Sequence, residues 1–151
     1  MTGRILVAAV GNILRGDDGF GAAVAAELDG LPDGADVIET GIGGIALLQE
    51  ILAGCDGLVL IDAVDSGDRP GTVSLINPVI DAPSHVPDVH LANPRRVLMM
   101  AKAMGALPER VVIVGCQPNG VDDLDQGLSL AVERAVPIAA AKVEETVRAW
   151  V

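Results

Sequence analysis

Residues 4–21 read RILVAAVGNILRGDDGFG, an apolar run, a glycine-rich loop and the start of a second apolar segment. The run at residues 4–10 is short, almost continuous and bounded by glycine, which predicts a buried strand. After the loop, Phe20, Val24 and Leu28 recur every four residues, the spacing of one helix face. A strand, a loop and a helix in this order form the building unit of a sheet covered by helices.

The rest of the chain repeats this unit. Further strands are predicted at residues 36–39, 57–61, 72–76 and 111–114. The loop before residues 72–76 is too short for a crossover helix, so this fourth strand is predicted to run antiparallel to the third. We therefore predict one α/β domain over residues 1–151, a three-layer α/β/α sandwich with a mixed, mostly parallel five-stranded sheet.

Helix faces and helix ends follow from spacing and from capping residues. Apolar residues at helical intervals predict the buried faces of a second and a third helix: Ile45, Leu48 and Leu52, then Val97, Met100 and Met104. Asn93 and Pro94 are typical of an N-cap and a first helical residue. Ser129 is predicted to cap a last helix that ends near Trp150, with Pro137 at its start or at a kink.

Composition limits the partners and the location that we expect. The net charge of −11 repels a phosphate backbone, and 1% aromatic residues provide few stacking platforms, so nucleic acid is not expected. No stretch approaches the roughly 18 apolar residues of a membrane span, and the first apolar run is too short for a signal peptide. Cys55 and Cys116 form neither a disulfide framework nor a zinc motif. We expect a cytoplasmic protein with no membrane partner.

Three polar side chains are predicted to meet at one edge of the sheet. Asp18 follows the first strand, Asp62 follows the third, and His90 directly precedes the third helix. In open α/β sheets, ligands bind beyond the carboxyl ends of the strands. Two carboxylates and one imidazole suit a divalent transition metal such as nickel or zinc, and three ligands leave coordination positions open. The sequence therefore predicts a candidate metal or catalytic site at this edge.

Each of these residues also has a plain structural interpretation. Asp17 and Asp18 lie in an Asp-Asp-Gly turn, which often only caps the following helix. His85 competes with His90, and either is compatible with an ordinary loop histidine. Asp62 is harder to explain without function, because its apolar neighbours would bury a carboxylate for no structural reason.

Other catalytic signatures are absent or weak. The sequence contains no G-x-G-x-x-G dinucleotide motif, no Walker lysine and no G-x-S-x-G elbow. Cys116 and His90 as a nucleophile–base pair have no supporting signature. Gly41, Gly43 and Gly44 either supply turns with positive φ or let a substrate backbone approach closely.

Four segments carry a family resemblance. They read GNILRGDDGFG at residues 11–21, LVLIDAVDSGDRPGTV at 58–73, DVHLANP at 88–94 and GCQPNGVDDLDQGLS at 115–129. In this order they resemble the hydrogenase maturation endopeptidases, a family of nickel-dependent processing proteases, over essentially the whole chain. One departure is Ile42 in ETGIGG, near which the family usually has a threonine.

The resemblance implies an endopeptidase that removes the C-terminal extension of a nickel–iron hydrogenase large-subunit precursor after nickel insertion. It implies that Asp18, Asp62 and His90 contact the nickel of the substrate, and that Gly41, Gly43 and Gly44 lie near the cut peptide. No cofactor would be permanently bound, because the substrate supplies the metal. One alternative is a non-enzymatic nickel-binding or chaperone module that docks the same immature subunit. A phosphate- or nucleotide-binding regulatory domain is the other alternative.

Overall fold

The computed structural model describes residues 3–41, 43–81, 93–119 and 127–151. Its strands are β1 (Ile5–Val10), β2 (Ala35–Gly41), β3 (Gly57–Ala63), β4 (Val73–Ile76) and β5 (Arg110–Cys116). Its helices are α1 (Phe20–Glu27), α2 (Gly44–Leu52), α3 (Pro94–Ala103) and α4 (Leu130–Trp150), and a short 3₁₀ turn, Gly16–Gly19, precedes α1. Among these described residues, no helix is long and apolar enough to cross a membrane.

The strands form one mixed sheet in the order β2-β1-β3-β5-β4. β1 pairs in parallel with β2 and β3, and β3 pairs in parallel with β5. β4 is antiparallel, as predicted, and its partner is β5 rather than β3. Both sides of β3 are occupied by β1 and β5, so the fourth strand pairs with the free side of β5 at the edge of the sheet.

Two apolar cores cover the two faces of the sheet and confirm the three-layer sandwich. On one face, Val7 and Val59 pack with residues of α1 and α4. On the other, Leu6 and Leu58 pack with residues of α2 and α3. Neighbouring strand residues point to opposite faces, so one continuous apolar run contributes to both cores. β1 and β3 are therefore buried on both sides.

The predicted buried face of α2 is wrong. Leu47 and Ile51 are the buried residues, whereas Ile45 and Leu52 are exposed and Leu48 is half-buried. Apolar side chains surround much of this helix, so spacing alone did not fix which of them turn toward the sheet. Packing against the sheet buries Leu47 and Ile51, which lie four residues apart and therefore on the same face of the helix.

The prediction for α3 is right at its start and wrong at its end. Asn93 caps the helix, because its Oδ1 accepts a hydrogen bond from Arg95 N at 2.9 Å. Val97 is buried as predicted, but Met104 is exposed because it lies one residue beyond the last helical residue, Ala103. The remaining buried positions are Leu98 and Ala101.

α4 runs through its internal proline. Pro137 lies within Leu130–Trp150, so it neither begins nor ends the helix. Ser129 occupies the N-cap position, as predicted, but its side chain makes no capping hydrogen bond.

Candidate active-site cleft

Asp18 is held at the carboxyl end of β1 by the loop that follows the strand. Gly11 has a φ of 125°, and its amide donates to Gly41 O at 3.1 Å, which joins the ends of β1 and β2. Asp18 Oδ2 accepts a hydrogen bond from Asn12 N at 2.8 Å. A Cβ atom on Gly11 would lie 2.1 Å from Asp18 O. Only glycine fits this position, because it allows both the positive φ and the close approach.

Asp62 reaches the same edge of the sheet from β3. It is the penultimate residue of that strand, which ends two residues later than the sequence predicted, and it lies opposite Gly115 of β5. Asp18 and Asp62 line one cleft of about 370 Å³. The other lining residues are Val10, Gly11, Asn12, Arg15, Gly41, Ala63 and Pro94. Two of the three predicted site residues therefore meet.

The Asp62 carboxyl group has an unusual proton affinity. Burial raises its pKa to about 7, the negative charge of Asp18 adds to this effect, and a hydrogen bond with the Ala63 backbone opposes it. Burial disfavours the charged form, and a nearby like charge disfavours it further. A carboxyl group with a pKa near neutrality is suited to exchange a proton with a reacting group. A cation bound between the two aspartates would replace that proton.

His90 lies outside the described residues, as does the competing His85. Pro94, four positions after His90, lines the cleft beside Asp18 and Asp62. Within the described segments, no group of three His, Cys, Asp or Glu side chains gathers as a metal site. The participation of His90 therefore stays a prediction.

The three glycines assigned to substrate binding are not equivalent. Gly41 lines the cleft and has a φ of 60°, with open space where a Cβ atom would lie. Gly43 is the N-cap of α2 and Gly44 is its first residue, and neither is among the residues lining the cleft. Ile42 lies outside the described residues. The structure thus places only Gly41 beside the two aspartates.

The capping interpretation of the Asp-Asp-Gly turn is wrong for the helix that follows it. The N-cap of α1 is Gly19, with no side-chain hydrogen bond. Asp17 instead accepts hydrogen bonds from Asn119 N at 2.7 Å and from Ser129 N at 2.6 Å, just before α4. The sequence analysis missed this role, because its partners are more than 100 positions away in the chain. An acidic residue next to Asp18 in a glycine-rich loop was the only local signal in the sequence.

Gln117 is a second residue that the sequence analysis missed. It is buried after β5, and its Oε1 accepts hydrogen bonds from Ser66 N at 2.8 Å and Asp68 N at 3.2 Å. Its Nε2 donates to Asp65 Oδ1 at 3.0 Å. One amide side chain therefore fixes the loop that follows β3, the strand that carries Asp62.

Cys116 is unsuited to act as a nucleophile. The residue is buried, and burial followed by the charge of Asp17 raises the pKa of its thiol to about 11. Thiolate is the reactive form, so a raised pKa and a buried sulfur both suppress attack. This environment argues against the Cys116–His90 pair.

A second groove, of about 350 Å³, adjoins the cleft on the α1 side. The two share Val10, Gly11, Asn12 and Gly41. The groove is completed by Ala9, Ile13, Ala22 and Glu39. An extended space therefore leads from the two aspartates along the end of β2.

Comparisons with known proteins agree on one family. A family model described as hydrogenase maturation protease matches residues 23–146. The hydrogenase expression/formation protein HupD of Rhodobacter capsulatus is 32% identical over 97% of this chain and 72% of its own length.

Solved structures agree with these sequence matches. The hydrogenase maturating endopeptidase HybD of Escherichia coli has a TM-score of 0.79 and 29% identity, covering 96% of this chain and 92% of that one. A hydrogenase 2 maturation peptidase from Thaumarchaeota archaeon SCGC_AB-539-E09 has a TM-score of 0.70 and 32% identity, over 95% and 97% of the two chains.

Proposed function

Because the chain belongs to the hydrogenase maturation protease family, we propose that it removes the C-terminal extension of a nickel–iron hydrogenase large-subunit precursor. The observation that carries this proposal is the cleft in which Asp18 and Asp62 meet at the carboxyl ends of β1 and β3. This edge is where ligands bind in open α/β sheets. The reaction is peptide-bond hydrolysis, in which water adds to the carbonyl carbon and the amine leaves with a proton.

The proposal includes recognition of nickel that the precursor itself carries. Asp18, Asp62 and His90 would be the contacting groups, two hard oxygen ligands and one imidazole. A cation near Asp18 and Asp62 relieves the like-charge repulsion that raises the pKa of Asp62. No permanently bound cofactor is part of the proposal, because two carboxylates alone hold a borderline metal only modestly.

Two carboxyl groups in one cleft support an aspartate-based hydrolysis. Asp62 is suited to accept a proton from the attacking water in the ionised form that the cation favours. The metal would polarise the peptide carbonyl or orient the water. Gly41, at the rim of the cleft, lets the substrate backbone approach without a side chain in the way.

We also propose that the enzyme works in the cytoplasm on a protein substrate, with no nucleic acid or membrane partner. Two free cysteines, Cys55 and Cys116, agree with a reducing compartment. The net charge of −11 agrees with the absence of a nucleic-acid partner.

A processing assay tests the proposal. The purified chain is incubated with a nickel-loaded large-subunit precursor and with the nickel-free precursor, and the mass of each product is measured. We expect the loaded precursor to lose its C-terminal extension and the nickel-free one to stay intact. An intact mass in both samples would contradict the proposal, and stable binding without cleavage would indicate a chaperone.

Variants connect the activity to the cleft. Asp62→Asn and His90→Ala should each abolish processing. Asp33→Asn is the matched control, because Asp33 is an exposed aspartate outside the residues that line the cleft. Equal rates for Asp62→Asn and Asp33→Asn would show that the cleft is not the active site.

A further inference from the structure

β2 is an edge strand whose carboxyl end lies at the cleft. Within the described part of the chain, β2 pairs with β1 on one side only. Its last residue, Gly41, lines both the cleft and the adjoining groove. A chain lying along this free edge would therefore continue directly to Asp18 and Asp62.

The free edge presents backbone groups that can pair with another strand. Ile5 N donates to Gly34 O at 2.9 Å, so the backbone carbonyl of Gly34, just before β2, points toward β1. The direction alternates along a strand, so the N–H and C=O groups of Val37 and Glu39 point away from β1. Val37 is 38% exposed. An edge with unpaired backbone groups is a template for strand addition.

The groove beside this edge can receive side chains of an added strand. Its apolar lining includes Ala9, Ala22 and Ile13, and Ile13 is 64% exposed. Glu39, whose backbone points outward, also lines this groove. Backbone pairing positions for an extended peptide and an apolar pocket for its side chains therefore lie next to each other.

We propose that the client segment next to the cut bond binds as an added strand on the free edge of β2, with an apolar side chain in the groove. This inference rests on the proposed function. We identify the bound chain as the client segment because the free edge of β2 continues into the cleft where cleavage is proposed. An endopeptidase needs its substrate backbone extended and accessible, and strand addition holds a peptide in that form. Pairing along Val37 to Glu39 would engage about three client residues, because Gly41 O already accepts from Gly11 N.

Hydrogen–deuterium exchange tests the pairing directly. The chain is labelled alone and with saturating nickel-loaded large-subunit precursor, and peptides covering β2 and β4 are compared. We expect slower exchange in Ala35–Gly41 with the precursor and no change in Val73–Ile76, the other edge strand. If exchange in β2 of the chain alone is already slow, and slows further as the chain concentration rises, the edge pairs with a second copy of the chain. That result would overturn the inference.

A proline substitution tests the same edge by kinetics. Val37→Pro removes an outward N–H without removing a bond to β1, and edge strands accept proline at such positions. Leu75→Pro is the matched control on β4. Gln117 N donates to Thr72 O at 3.0 Å, so the Thr72 carbonyl points toward the end of β5. The direction alternates along the strand, so the backbone N–H of Leu75 points away from β5. Leu75 is 50% exposed. We expect kcat/KM to fall about tenfold for Val37→Pro, mostly through KM, the size of one lost hydrogen bond.

A polar substitution tests the groove. Ile13→Ser should raise KM several-fold and leave kcat nearly unchanged. Ile138→Ser is its control, because Ile138 is a similarly exposed isoleucine, 54%, on α4. Equal KM values for the two variants would count against an apolar pocket in this groove.

The combined results separate this inference from the proposed function. Cleavage without protection of β2, and with equal rates for Val37→Pro and Leu75→Pro, overturns the inference and leaves the protease function standing. Protection of β2 by the precursor without any cleavage supports the inference and contradicts the protease function. Neither protection nor cleavage contradicts both.

Discussion

Asp17 fastens the loop after β1 to the start of α4 through Ser129. Its Oδ1 accepts from Ser129 N at 2.6 Å, and its Oδ2 accepts from Ser129 Oγ at 2.9 Å. Asn119 N donates to Oδ2 as well, at 2.7 Å, and Asp17 is only 2% exposed. One carboxylate thus joins three distant segments. Asp18, the next residue, is positioned in the cleft by the same loop.

The first prediction concerns the stability that Asp17 provides. Asp17→Ala removes the acceptor of three hydrogen bonds, from the amides of Asn119 and Ser129 and from the Ser129 hydroxyl. We expect the free energy of unfolding to fall by roughly 2–3 kcal/mol, since hydrogen bonds to a charged acceptor are lost. Urea denaturation measures this. Asp18→Ala is the control, because the Asp18 carboxylate accepts a hydrogen bond from the Asn12 amide but does not join distant segments. Equal losses for the two variants would contradict the prediction.

The second prediction concerns pH and Asp62. The folded state raises the pKa of this carboxyl group to about 7, above its value in the unfolded chain. Between about pH 4 and pH 7 the folded state therefore binds more protons, so stability falls as the pH rises through this window. Asp62→Asn carries no titrating group and should be more stable than the parent at about pH 8, by roughly 2–4 kcal/mol.

Denaturation at two pH values checks this sign. The advantage of Asp62→Asn should disappear at about pH 3, below the pKa of the carboxyl group in the unfolded chain, where Asp62 is mostly protonated in both states. If Asp62→Asn were less stable than the parent at about pH 8, the carboxylate would be a stabilising group and the assigned environment would be wrong.

The strands were predictable because their signal is local. Apolar runs bounded by glycine located all the strands of the described sheet to within two residues, and they placed Asp62 at the end of the third. The helix phases were less certain, because α2 carries apolar residues around much of its surface. Leu47 and Ile51 are buried there because of packing against the sheet, which spacing alone does not encode.

Long-range pairing was beyond the sequence. The partner of β4 depends on which strand side is left free after the parallel strands have assembled. The role of Asp17 depends on Ser129, 112 positions away. The raised pKa of Asp62 depends on burial and on Asp18, which only the folded chain brings together with it. Residue types and strand ends could therefore be predicted, but contacts between distant segments could not.

The third prediction concerns the source of the metal. The enzyme is treated with a chelator, the chelator is removed, and processing of the nickel-loaded precursor is measured. We expect an unchanged rate and well below one nickel per enzyme chain by elemental analysis, because the proposed metal arrives with the substrate. Loss of activity that added nickel restores, with the precursor left untreated, would instead indicate a resident metal.

The fourth prediction compares two glycines with positive φ at the cleft. Gly11→Ala places a Cβ atom 2.1 Å from Asp18 O, so the loop that carries Asp18 must shift. Processing should be lost, and stability should fall by roughly 3 kcal/mol or more, from the clash together with the unfavourable φ. Gly41→Ala meets no atom within 4 Å and should cost only about 1 kcal/mol. The kinetics of Gly41→Ala then test substrate contact. A KM raised beyond what the small stability loss explains would support Gly41 as part of the peptide site. Parent-like kinetics would show that Gly41 is needed only for its positive φ.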